Sequence, residues 1–153
     1  MKKIFYTLFA AVMIASCANP TPNYNNLSKD DFELEILSNL DSTKVTTQMI
    51  IDVIRDVEFI YETEEYVNSI RARYDTLSYD DRILVYGSKE HLEYCDTRKT
   101  LDAIRDEYMN IKFRYEDLRE FFTPTFKYMM FNRLEKARSN YAKVYYMRFT
   151  VID

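Results

Sequence analysis

Almost nothing in this chain interrupts a helix. Gly87 is the only glycine among 153 residues, and Pro124 is the only proline after Pro22. A chain this poor in breakers makes few tight turns, so long helices joined by few loops are the natural solution. The same shortage excludes a phosphate cradle, whose backbone approaches its ligand through glycines. Histidine is as scarce. His91 stands alone, and Ser88 occupies the place where a Glu-x-x-His pair would need its glutamate. The carboxylate–histidine pattern of di-iron helical proteins is therefore incomplete, and a hydrolytic triad has a single thin candidate for its base. No catalytic residue, metal ligand or cofactor is expected, and the chain does not read as an enzyme. Asp52 with Asp56, and Glu58 with Glu62, are acid pairs at helical spacing of the kind solvated helix faces produce routinely. Positive charge is not in excess either. The 25 acids outnumber the 21 lysines and arginines, for a net charge of −4, which disfavours a nucleic-acid partner.

What the chain does have is helical periodicity. Tyr94, Thr97, Leu101, Ile104, Tyr108, Ile111, Tyr115, Leu118 and Phe122 alternate steps of three and four without a slip. That is an a/d seam on a helix over about 89–122, with Ser88 as its N-cap and Gly87 as the stop of whatever precedes it. An earlier seam, Ile50, Val53, Val57, Ile60, Glu64, Val67, Arg71 and Tyr74, is broken twice by charge, and Ile70 beside Arg71 points to a drifting stripe. It predicts a helix over 44–75, capped by the Asp41-Ser42-Thr43 cluster. A third stripe, Phe126, Met130, Leu134, Ala137, Tyr141, Val144 and then Arg148 or Phe149, predicts a helix over 124–151 behind Thr123 as N-cap. Thr123-Pro124 permits either a sharp reversal or a kink. Ser28 and Ser78, each with acid three residues on, open two shorter elements. At about 1.5 Å per residue the long helices span about 48, 51 and 42 Å. The expected fold is all-α, an elongated antiparallel three-helix bundle, coiled-coil-like, with short extra helices near 29–40 and 79–86.

The first residues have a different character. Met1-Lys2-Lys3 is basic, and the twelve residues from Ile4 to Ala15 carry no charge. Twelve residues make a helix of about 18 Å, too short for a bilayer core of about 30 Å. Residues 1–16 read as a secretory signal peptide. Ile14-Ala15-Ser16-Cys17 resembles a lipobox, the recognition site of the signal peptidase of bacterial lipoproteins. The resemblance implies that Cys17 is acylated on sulfur and on its new amino group, and serves as an anchor rather than a nucleophile or ligand. Several acyl chains hold a protein on a bilayer where one does so only marginally. Ala18 stands where Asp resembles an inner-membrane retention signal, which implies the outer membrane and a domain facing the periplasm. Ser16-Cys17-Ala18 also satisfies small-x-small cleavage, which would release a soluble chain from Asn19. Asn19–Leu27 is uncharged, with two prolines and four asparagines. Residues 17–27 therefore read as a lipidated N-terminus and flexible tether, and 28–153 as one helical domain. With Cys17 acylated, Cys95 has no intramolecular partner and is expected as a small buried hydrophobe.

Fourteen tyrosines and no tryptophan are the most unusual feature of the composition. Tyr94, Tyr108, Tyr115 and Tyr141 lie on seams, and because a buried hydroxyl wants a partner such seams are expected near an edge. Tyr61, Tyr66, Tyr86, Tyr128, Tyr145 and Tyr146 fall off them. Tyr141, Tyr145, Tyr146 and Phe149 form the candidate interaction patch. Charge is uneven as well, with thirteen acids against five Lys/Arg over 28–80 and three against six over 120–153. The expected function is a membrane-anchored envelope lipoprotein acting as a non-catalytic helical interaction module, a scaffold, adaptor or inhibitor. Its partners are the membrane, through the anchor, and another envelope protein. The alternative is a binder of a small molecule or glycan, with tyrosine and methionine lining a gap between helices.

Overall fold

The computed structural model describes residues 24–153. The expected signal peptide, Cys17 and the first part of the tether lie outside the described residues. The described residues form four α-helices, three 3₁₀ turns and one two-stranded sheet. Helix α1, Lys29–Ser38, starts where Ser28 Oγ accepts the Asp31 amide at 3.2 Å, and it buries Phe32 and Ile36. Helix α2, Thr47–Tyr74, starts later than the expected residue 44. Asp41 does not cap it. Its carboxylate instead accepts the Thr43 hydroxyl at 2.6 Å and the Thr43 amide at 3.1 Å, which closes a local turn. Thr46 takes the cap, accepting the Met49 amide at 3.2 Å.

Ser78 also caps as its sequence suggests, accepting the Asp81 amide at 3.3 Å. No helix follows over 79–86. A single 3₁₀ turn, Asp80–Arg82, leads into strand β1, Ile83–Val85. The Ile-Leu-Val run favours the pleated backbone, with Leu84 inward and its neighbours outward. Gly87, at φ 76°, then turns this strand, not a helix, into α3. Helix α3, Lys89–Asp117, is capped by Ser88, whose Oγ accepts the His91 amide at 3.1 Å. It ends before the expected Phe122, giving way to a 3₁₀ turn at Arg119–Phe121.

Helix α4, Pro124–Tyr145, has Thr123 as cap and Pro124 in its first turn. Phe122 and Thr123 are both extended, as the residue before a proline must be. The chain reverses there: Tyr115 and Phe126 touch across the corner, with ring centroids 5.8 Å apart. Helix α4 stops short of the expected residue 151. Strand β2, Thr150–Ile152, leaves it to pair in parallel with β1, placing Ile83 beside Thr150 and Val85 beside Ile152. A parallel pair requires a long crossover, supplied here by α3 and α4 together.

One core runs through all four helices. Helix α2 buries Val53, Val57, Ile60, Thr63, Val67, Ile70 and Tyr74, so the stripe steps from Glu64 to Thr63 and from Arg71 to Ile70 as a straight helix requires. Leu101, Ile104, Tyr108, Ile111 and Tyr115 line α3, and every apolar residue of the α4 stripe through Val144 is buried. Contacts between α2 and α3 run in opposite chain order, Asp56 with Arg114, Thr63 with Tyr108 and Arg73 with Glu93. No helix among the described residues is long and apolar enough to cross a membrane.

An aromatic groove between α3 and α4 is the candidate functional site

Tyr141 leaves α4 on its α3 side and is buried. Its hydroxyl donates to the Leu101 carbonyl of α3 at 2.8 Å, and its ring meets the edge of Tyr108 at 5.9 Å. Tyr108 is only 1 % exposed, and its hydroxyl lies 2.8 Å from Thr63 Oγ1 on α2. Thr63 donates onward to the Phe59 carbonyl at 2.7 Å, which leaves Tyr108 as the donor to Thr63. Tyr108, Tyr115 and Tyr141 therefore sit deep in the core with their hydroxyls partnered, rather than near an edge, while Tyr94 is half-buried. Burial pushes the Tyr108 phenol up to about 12 and drives Tyr141 up as well. Both rings stay neutral, and neither is a nucleophile at physiological pH.

Tyr145, one turn on from Tyr141, is held from three directions. Its hydroxyl donates to Asp102 Oδ1 at 2.8 Å and accepts from Arg105 at 3.0 Å. The Arg98 guanidinium lies 3.8 Å above its ring and donates to its backbone carbonyl. The Asp102 carboxylate, which prefers the protonated phenol as donor, raises the Tyr145 pKa. Tyr146 is different. It is 76 % exposed and meets Tyr145 edge-on at 5.3 Å. Together these rings border an open groove of about 560 Å³, completed by Met109, Arg105, Glu135, Arg138, Ser139 and Ala142.

Three of the four expected patch residues thus meet at one place. Phe149 does not join them. Its ring packs on Tyr94 at 4.6 Å and Tyr74 at 5.3 Å, beneath the small sheet. It is out of register because the chain left the helix at Tyr145. Sequence reasoning missed Arg98, Asp102, Arg105 and Met109. Their signal was present as a second stripe with steps of four, three and four, one residue behind the Thr97–Leu101–Ile104–Tyr108 seam.

Of the other acidic candidates, Asp52, Asp56 and Glu58 have structural partners and Glu62 is exposed. Asp56 is buried and held by Arg114 and Tyr115. Asp52 meets Arg55 at 3.2 Å, and Glu58 meets Lys29 at 3.5 Å. Cys95 is half-buried, not buried, with Sγ 3.5 Å from His91 Nε2. Gly87 donates its amide to His91 Nδ1 at 3.1 Å, so the neutral ring carries its proton on Nε2, facing the sulfur. An imidazole held in that tautomer does not take the thiol's proton through Nε2. Among the described residues no group of three His, Cys, Asp or Glu is placed to hold a metal ion. The groove is thus a surface of tied-down rings with a charged rim. Comparison of the chain with protein-family models, with curated proteins and with solved structures finds no match.

Proposed function

We propose that this chain is a lipid-anchored envelope protein whose helical body, an elongated antiparallel three-helix bundle, is a non-catalytic module that docks another envelope protein in the α3–α4 groove. Cys17 is the anchor in this reading, and the outer membrane, on its periplasmic face, is the location. The observation that carries it is the state of the groove's hydroxyls. Those of Tyr108, Tyr141 and Tyr145 are already engaged with Thr63, Leu101 and Asp102. The groove therefore offers ring faces and methylene groups with Arg105, Glu135 and Arg138 around them. An apolar floor inside a charged rim is the anatomy of a protein interface, with tyrosine and arginine as its favoured residues. A glycan site would want free hydroxyls and carboxylates, and three of the groove's tyrosine hydroxyls are tied here.

Crosslinking in intact cells followed by mass spectrometry tests the reading. Wild type should capture a defined envelope protein, and both Tyr146→Ser and Cys17→Ser should lose it. Undiminished capture by Tyr146→Ser would remove the groove from the proposal, and undiminished capture by Cys17→Ser would remove the anchor.

A further inference from the structure

We infer that the anchored body lies side-on to the bilayer, with α1 and the N-terminal turn toward the lipid and α3 away from it. The inference rests on the acylation of Cys17 proposed above and adds how the body is held. The 3₁₀ turn at Tyr24–Asn26 is fastened to the middle of the helices, not to an end. Arg133 donates to the Asn25 carbonyl at 2.7 Å, Lys136 bonds the same carbonyl, and Tyr61 donates to the Leu27 carbonyl at 2.9 Å. Tyr61 and Arg133 both lie near the midpoints of their helices, α2 running Thr47–Tyr74 and α4 Pro124–Tyr145. The last part of 17–27, from Tyr24 to Leu27, is therefore bound to the body.

Lengths decide the orientation. Seven residue steps lead from Cys17 to Tyr24, a reach of roughly 15 Å for a chain of flexible-linker statistics and about 22 Å for one of polyproline rise. Half the length of α2 is about 21 Å. To stand on one end, the body would need its tether drawn almost straight. To lie on its side it needs no extension at all.

The face follows from the helix surfaces. On α2, Phe59 and Thr63 meet α3, while Glu58 and Tyr61 meet the N-terminal layer, on the other flank of the buried stripe. The N-terminal turn and α1 thus cover one side of the α2–α4 pair and α3 covers the other. Side-on attachment leaves the outer surface of α3 and the groove beside it clear of the bilayer, open to a partner.

The test uses the full lipidated chain purified from membranes, in vesicles of phosphatidylethanolamine and phosphatidylglycerol carrying a headgroup acceptor dye. Donor dyes are placed through Asp30→Cys, Ala103→Cys, Ser42→Cys and Thr76→Cys in a Cys95→Ser background. All four sites are exposed. The intact mass first reports whether Cys17 is acylated. Energy transfer should be highest from position 30 and lowest from 103, with about two helix-packing distances, roughly 20 Å, between them. Positions 42 and 76 should give similar, intermediate values. Lengthening the tether by a Gly/Ser insertion before Tyr24 should shrink the difference between 30 and 103. An acylated chain in which 42 and 76 differ most, while 30 and 103 agree, stands end-on and overturns the inference while leaving the anchor intact. An unacylated Cys17 removes the anchor, and the inference falls with it.

Discussion

The Tyr115 hydroxyl donates to Asp56 Oδ2 at 3.0 Å, on a carboxylate that Arg114 also holds and that is only 2 % exposed. Two consecutive residues of α3 thus converge on one buried acid of α2. Burial raises the Asp56 pKa above its ordinary 3.8, against the opposing pull of Arg114 and Tyr115. Below 3.8 the carboxyl is protonated in folded and unfolded chains alike. Above that value the unfolded chain loses its proton first, so the folded state binds more protons and stability falls as pH rises through the raised pKa. Asp56→Asn removes this dependence while keeping an acceptor for Arg114. Urea midpoints measured from acid to neutral pH should show wild type losing ground against Asp56→Asn. A gap that does not change with pH would contradict the direction of the shift.

The Thr63–Tyr108 bond predicts an asymmetry between its two ends. Tyr108→Phe leaves the Thr63 hydroxyl donating to the Phe59 carbonyl, so the loss is that of one ordinary bond, about 1 kcal/mol. Thr63→Val strands the Tyr108 hydroxyl in the core at a cost of about 1–3 kcal/mol. Denaturant titration of the two variants should rank Thr63→Val as the weaker.

Arg133 is 4 % exposed, pairs with Glu64 and lies 4.1 Å over the Tyr61 ring. Arg133→Met leaves the half-buried Glu64 without its counter-ion and should cost up to about 3 kcal/mol. Adding Glu64→Leu should recover a large part, since apolar residues replace a buried ion pair at little cost. A double variant as unstable as the single one would mean that the loss comes from the Asn25 strap and not from the pair.

Tyr146 and Phe149 should separate binding from stability. Tyr146 is largely exposed, so Tyr146→Ser should shift stability by no more than about 0.5 kcal/mol while abolishing partner capture. Phe149 packs between Tyr74 and Tyr94, so Phe149→Ala should lower the melting temperature and leave capture unchanged. The reverse pattern would move the docking surface from the groove to the sheet.

The groove was only half legible in the sequence. Tyr141, Tyr145 and Tyr146 were visible because aromatic residues crowd the end of a clear helical stripe. Arg98, Asp102 and Arg105 looked like ordinary helix-surface charge, and only the approach of α4 gives them Tyr145 to hold. The end of the tether is a similar case. Nothing in its uncharged, asparagine-rich composition points to Arg133, more than a hundred residues away, as the donor to Asn25.

By itself the sequence determined the helices. Their seams and the caps at Ser28, Ser88 and Thr123 are short-range features, set by side-chain spacing and by backbone groups within one turn, whereas the choice between reversal and kink at Pro124 was left to the packing of Phe126 on Tyr115. Tertiary structure decided what short-range rules leave balanced. Ile83–Val85 follows a Ser78–Asp81 bond of capping type yet becomes a strand, because Thr150–Ile152 arrives to supply its hydrogen-bond partners. A helix satisfies its backbone within its own segment. A strand depends on a second one, and here that second strand lies two helices further along the chain.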